Sequence, residues 1–99
     1  MKPKYPSQAG TFESSDLIVL IEPKDDNSGR KIEIESIVLL QYGDNLKIVV
    51  SEMLDHYDLT DVHVILKDKG ALEPVVRARI ETAILRSLEH QNLWKVNNE

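Results

Sequence analysis

Apolar positions along the chain recur with three different spacings, and each spacing predicts an element. In Asp16 to Glu22 (Asp-Leu-Ile-Val-Leu-Ile-Glu) aliphatic residues run without a break, with Leu17, Val19 and Ile21 on one face, as expected of a buried strand. From Lys31 to Ser36, Ile32 and Ile34 alternate with charged residues and predict a second, half-buried strand. Pro23 to Arg30 is a dense cluster of turn formers, so these two strands are expected to pair as a hairpin. Ser36 to Gly43 fits either the end of the strand or a short helical turn. Beyond it, Asp44 suits an N-cap, and Leu46, Val49, Val50, Met53, Leu54 and Tyr57 recur at steps of three and four, predicting a helix to about Tyr57. Asp61 to Lys67 reads as a third strand, with Val62, Val64 and Leu66 on one face. After a turn at Asp68-Lys69-Gly70, Leu72, Val76, Ile80, Ala83, Ile84 and Leu88 form the stripe of a second helix. Pro74 is tolerated in its first turn, where the backbone N–H has no intrahelical partner.

Residues 1–15 contain Pro3, Pro6 and Gly10, few aliphatics and no periodicity, and read as a mobile N-terminal arm. Residues 16–90 read as one domain, and 91–99 as a loose polar tail containing Trp94. The expected order is β-β-α-β-α. A crossover helix between the second and third strands makes those two parallel, with the first strand antiparallel to its hairpin partner. The fold class is therefore α+β: a three-stranded mixed sheet with two helices packed on one face.

A chain of 99 residues holds one compact core without metal or disulfide support. It contains no cysteine, which excludes disulfides, thiolate zinc sites and a cysteine nucleophile. Any thioester chemistry must then use a thiol from outside the polypeptide. The net charge of -5 disfavours nucleic acid and suits docking on basic patches of other proteins. No apolar run approaches the ~20 residues of a membrane span. The basic start, Met1-Lys2-Pro3-Lys4-Tyr5-Pro6, lacks the apolar stretch of a signal peptide. A cytoplasmic location is expected.

The candidate chemistry lies at Ser14, with Ser15 beside it. Both sit between small polar residues and the first expected strand, next to Asp16. Such a Ser-Ser-Asp step serves equally well to close a local turn. An exposed hydroxyl there would also be open to a modifying enzyme. The string Ala9-Gly10-Thr11-Phe12-Glu13-Ser14, together with Asp68-Lys69-Gly70-Ala71-Leu72 and Arg77-Ala78-Arg79, resembles the acyl carrier (gamma) subunit of bacterial citrate lyase. The resemblance covers nearly the whole chain. Glu73-Pro74 stands where the family often has other residues.

The resemblance implies that Ser14 (with Ser15 as runner-up) carries 2'-(5''-phosphoribosyl)-3'-dephospho-CoA, a phosphopantetheine-like arm held by a phosphodiester. It implies a carrier that is not catalytic alone. Its partners would be the alpha (acyl transferase) and beta (citryl lyase) subunits of the complex and a prosthetic-group transferase. Acetyl and citryl groups would ride on the arm's thiol while citrate is cleaved to acetate and oxaloacetate. The carrier subunit of malonate decarboxylase and an unmodified protein-binding adaptor are the alternatives. The common helical acyl carriers are a poor match, because this chain has no Asp-Ser-Leu and its first half is rich in strand formers.

Other groups suggest less. Arg77, Arg79 and Arg86 lie on the second expected helix, either as a solvated face or as cations for a partner or for the phosphates of the arm. Asp68 and Gly70 suit a strand-to-helix turn. His56, His63 and His90 lack ligand spacing, so no metal site is expected. The isolated glycines form no phosphate loop, and Asp25-Asp26 falls in a turn. Trp94 suits either a docking anchor or a cap on the core.

Overall fold

The computed structural model describes residues 2–37 and 39–88. Its elements are β1 (Ser7–Gly10), β2 (Leu17–Pro23), β3 (Arg30–Ser36), α1 (Leu39–His56), β4 (Val62–Asp68) and α2 (Glu73–Ser87). The four strands form one sheet in the order β1-β2-β4-β3. β2 pairs antiparallel with both β1 and β4, whereas β3 and β4 are parallel. The α+β class and the parallel pair joined by a helix agree with the sequence expectation.

Two features differ. The sheet has four strands rather than three, because the segment before residue 16 supplies β1. The expected hairpin between β2 and β3 is not formed either: β4 lies between them, and Val62 is opposite both Pro23 and Arg30. The polar connection over 24–29 therefore spans two interstrand spacings, about 10 Å, instead of closing a tight turn. The physical reason is burial. β4 alternates fully buried and half-buried positions, so none of its residues is left fully exposed, and such a strand is best used in the middle of a sheet. β3, with charges on alternate positions, is suited to the edge.

The core lies between the sheet and the two helices. Leu17, Val19 and Ile21 of β2 and Val62, Val64 and Leu66 of β4 are all buried against Leu46, Val49, Val50 and Leu54 of α1 and Val76, Ile80, Ala83 and Ile84 of α2. α2 packs over β1 and β2, and α1 over β3. Leu72 departs from the expected stripe: it is the N-cap of α2 and is 73% exposed, while Ala71 turns inward in its place. α1 starts at Leu39, so Asp44 falls inside the helix rather than at its cap. His90, Trp94 and the tail 91–99 lie outside the described residues.

The first residues are laid across the end of α2. The N–H groups of Lys4 and Tyr5 both donate to the Ser87 carbonyl at 2.8 and 2.9 Å, and the Ser7 hydroxyl donates to the Ala83 carbonyl at 2.6 Å. The first two bonds satisfy the Ser87 carbonyl, which has no partner within the helix, and the third ties β1 to the turn before it.

Candidate functional site

β1 and β2 form a hairpin whose connection, residues 11–16, holds both candidate serines. It opens with Gly10 at φ +98°, where an added Cβ would come 1.8 Å from the Leu17 carbonyl oxygen. No other residue type fits that approach without moving backbone. Thr11 then donates its N–H to Leu17 O at 3.1 Å, the last rung between the two strands. At the far end the Asp16 N–H donates to Glu13 O at 3.2 Å, closing a turn with Ser14 and Ser15 at its centre. Ser15 takes φ +64°, an uncommon conformation for a residue with a side chain.

The base of this loop is clamped. The Asp16 carboxylate accepts four hydrogen bonds. Its Oδ1 receives the Leu17 N–H at 2.7 Å and Arg79 Nε at 3.1 Å. Its Oδ2 receives the Thr11 hydroxyl at 2.7 Å and Arg79 Nη2 at 2.9 Å. The guanidinium of Arg79 and the Thr11 hydroxyl together pull the Asp16 pKa down from 3.8 to about 2. The backbone is fixed as well. Ser15 N–H donates to Lys69 O at 2.8 Å, and Lys69 N–H to Asp16 O at 2.9 Å, extending the β2–β4 ladder past its last paired residues. The tip, in contrast, is open. Phe12, Glu13, Ser14 and Ser15 are exposed, and neither serine hydroxyl takes part in a hydrogen bond among the described residues.

The second block of the sequence, Asp68-Lys69-Gly70, is structural. Asp68 is buried, with Oδ1 accepting the Ala71 N–H at 2.9 Å and Oδ2 the Ser36 hydroxyl at 2.8 Å. The arginines of α2 divide by partner. Arg79 holds the serine loop, Arg86 donates to Gln8 O of β1 at 2.8 Å, and Arg77 lies 3.5 Å from Glu52 of α1. The structure thus commits Arg79 to Asp16. Sequence reasoning named both residues and missed their pairing; the only sign of it was a short acid directly before the strand. His63 lies 2.8 Å from Glu33 on the sheet face away from the helices, and that contact holds the Glu33 carboxyl below its usual range. His56 meets the Tyr57 ring edge-on. No group of residues able to hold a metal ion occurs among the described residues. No described helix is long and apolar enough to cross a membrane.

Residues 4–87 match the family described as malonate decarboxylase delta subunit (MdcD). Curated relatives include a citrate lyase acyl carrier protein of Vibrio cholerae, 43% identical over 94% of both chains. Another, from Cronobacter sakazakii, is 47% identical over 88% of this chain and 89% of its own. This chain belongs to the citrate lyase acyl carrier protein family. These relatives are carriers by name, in agreement with the expectation of a chain that is not catalytic alone. Among solved structures, a chain of a Pseudomonas malonate decarboxylase hetero-tetramer in complex with malonate superimposes with a TM-score of 0.69 at 22% identity, covering 86% of this chain and 87% of that one. At that identity the likeness concerns the fold.

Proposed function

We propose that this chain is the acyl carrier subunit of a citrate lyase, with Ser14 as the attachment point of a phosphoribosyl-dephospho-CoA arm. The observation that carries the reading is the contrast within the 11–16 loop: an exposed serine at the tip of a connection whose base is held by Asp16, Arg79 and the Lys69 backbone. A transferase needs a hydroxyl it can close around, and a carrier needs its tether to start from a fixed point on the domain. Ser14 and Ser15 are both accessible, but Ser15 donates its own N–H to Lys69 O just past β4 and takes the strained φ, so the neighbouring residue is the freer of the two. Ser14 is favoured on that ground as well as by the motif.

The residues present suit such a group. The chain has no cysteine, and a serine hydroxyl without an adjacent base is a poor acyl acceptor. When bound, the arm supplies the thiol on which acetyl and citryl groups ride between the transferase and lyase subunits. The chain itself contributes the phosphodiester oxygen of Ser14, a rigid base for the tether, and a net charge of -5 that suits basic docking patches on partner subunits. Tethering replaces free diffusion with an effective concentration on the order of millimolar. A soluble, cytoplasmic complex fits this role.

A malonate decarboxylase carrier is the second reading, favoured by the description of the matched family and by the shared fold. An intact mass of the protein from its native host, with fragmentation, tests both readings. An adduct of the arm's mass on Ser14 carrying acetyl is expected. A bare chain would make the protein an adaptor, and a malonyl group on the thiol would favour the second reading.

A further inference from the structure

A cleft of about 360 Å³ opens beside the serine loop, between the 11–16 connection and the ends of β3 and β4. Its lining includes Phe12 and Ile37 on the apolar side and Lys67 and Lys69 on the charged side. Phe12 is 57% and Ile37 73% exposed, so two large apolar groups face water at one rim. Neither lysine takes part in an ion pair among the described residues. The carboxylate of Asp68 on the same wall is occupied by Ala71 and Ser36, leaving Glu35 as the acid opposing the two ammonium groups. The volume falls in the usual range for small-molecule clefts, about 300–1,000 Å³.

We propose that this cleft is a resting site for the nucleotide portion of the arm, with Lys67 and Lys69 meeting its phosphates and Phe12 stacking on its purine. The proposal rests on the reading of Ser14 above. An aromatic face beside cations is the chemistry that holds a phosphate-bearing base, because any base offers a π-face and each phosphate an anion. The tether also favours this occupant. Phe12 is two residues from Ser14, and Lys69 is bonded through its backbone to Ser15 and Asp16, so a group attached at Ser14 meets the cleft at high local concentration. Docking the nucleotide portion there leaves the thiol end of the arm free to reach other subunits.

The test compares ¹⁵N-labelled protein co-expressed with the prosthetic-group transferase against the unmodified chain. Mass is read first. An absent adduct at Ser14 overturns the proposed function and this inference with it. With the adduct present, the expected result is amide shift changes at Phe12, Ile37, Lys67 and Lys69, nuclear Overhauser contacts from adenine protons to the Phe12 ring, and phosphorus lines several-fold broader than those of free coenzyme A. The double variant Lys67→Glu/Lys69→Glu, checked for an unchanged melting temperature, should narrow those lines and reverse most of the shifts. An adduct whose shift changes stay within residues 13–15, with narrow phosphorus lines, would overturn the cleft assignment while leaving Ser14 in place. So would a rim that responds only when a partner subunit is added.

Discussion

β2 is entered through residues 11–16 and left through residues 24–29, two connections of equal length that are anchored differently. The second, Lys24-Asp25-Asp26-Asn27-Ser28-Gly29, is made of residues that form turns on their own, and its internal bonds are local, such as Ser28 N–H to Asp25 O at 3.1 Å. Its distant contacts gather mostly at the start of β4: Lys24 N–H donates to the Asp61 carbonyl and Gly29 N–H to the Asp61 carboxylate, each at 3.0 Å, while Gly29 O accepts the Val62 N–H at 3.3 Å. Asp26 also lies 3.1 Å from Lys2. The first connection carries the candidate serine and exposes Phe12, yet it is bound to α2 through Arg79 and to β4 through Lys69. A loop that only joins strands needs turn chemistry. The loop that carries the candidate serine has its base fixed by a charged side-chain pair, Asp16–Arg79, that spans 63 residues.

The largest contrast between the loops is functional. Ser14→Ala should abolish attachment of the arm when the variant is co-expressed with the transferase, read as loss of the mass adduct. Ser28→Ala, in the other loop, should be modified like the parent. Ser14→Ala should change stability by less than about 0.5 kcal/mol, because its hydroxyl is exposed and makes no hydrogen bond among the described residues, whereas Ser28→Ala loses the bond from its hydroxyl to the Asp25 carbonyl and should cost about 0.5–1.5 kcal/mol. Full modification of the Ser14 variant would move the site to Ser15.

Next come the two glycines. Gly10→Ala forces a side chain at φ +98° into the Leu17 carbonyl, and should cost about 3 kcal/mol or more in a denaturant titration. Gly29 has φ +77° but nothing within 4 Å of an added Cβ, so Gly29→Ala should cost only the conformational penalty, about 1–2 kcal/mol. Equal losses would mean that the first hairpin is no more tightly built than the polar loop.

Asp16 provides a pH test. Its folded pKa is depressed from 3.8 to about 2, so its contribution is complete above about pH 4 and is lost as pH falls toward 2. Asp16→Asn should cost about 1–2 kcal/mol at neutral pH, after allowance for the screening of the half-exposed Arg79. The gap between variant and parent in urea midpoints should shrink through that acid window. A gap that does not change between pH 6 and 2 would assign the loss to something other than the Arg79 pair.

The smallest effect is in amide exchange. Within the serine loop, the N–H groups of Thr11 and Ser15 are bonded to Leu17 O and Lys69 O and should be protected, whereas those of Phe12 and Ser14 at the open tip should exchange fast. Uniformly fast exchange over 1–15 would restore the wholly mobile arm that composition suggests. Uniform protection, Ser14 included, would mean that the serine is held in place.

Much of the core was legible because burial leaves a periodic trace. Leu17, Val19 and Ile21, Val62, Val64 and Leu66, and the α2 positions Val76, Ile80, Ala83 and Ile84 are all buried as their spacing implies. β1 was not legible. Ser7-Gln8-Ala9-Gly10 has no strong strand former, and it is a strand because β2 offers a free edge and α2 covers it, with Ala9 buried at 3%. Leu72 misled for a related reason: spacing along a helix says nothing about where the preceding turn, set by Asp68 and Gly70, lets the helix begin.

The amino-acid sequence alone determined the α+β class, the two helices, the parallel β3–β4 pair, the lack of any internal thiol, and a motif that makes Ser14, with Ser15 beside it, the candidate. These rest on local periodicity, composition and short-range chemistry, which are written in adjacent residues. Only the tertiary structure decided that β4 separates β2 from β3, that the N-terminal segment joins the sheet, and that Arg79 anchors the serine loop through Asp16. Strand order and ion pairing depend on which distant surfaces bury one another most fully, and no local pattern carries that comparison.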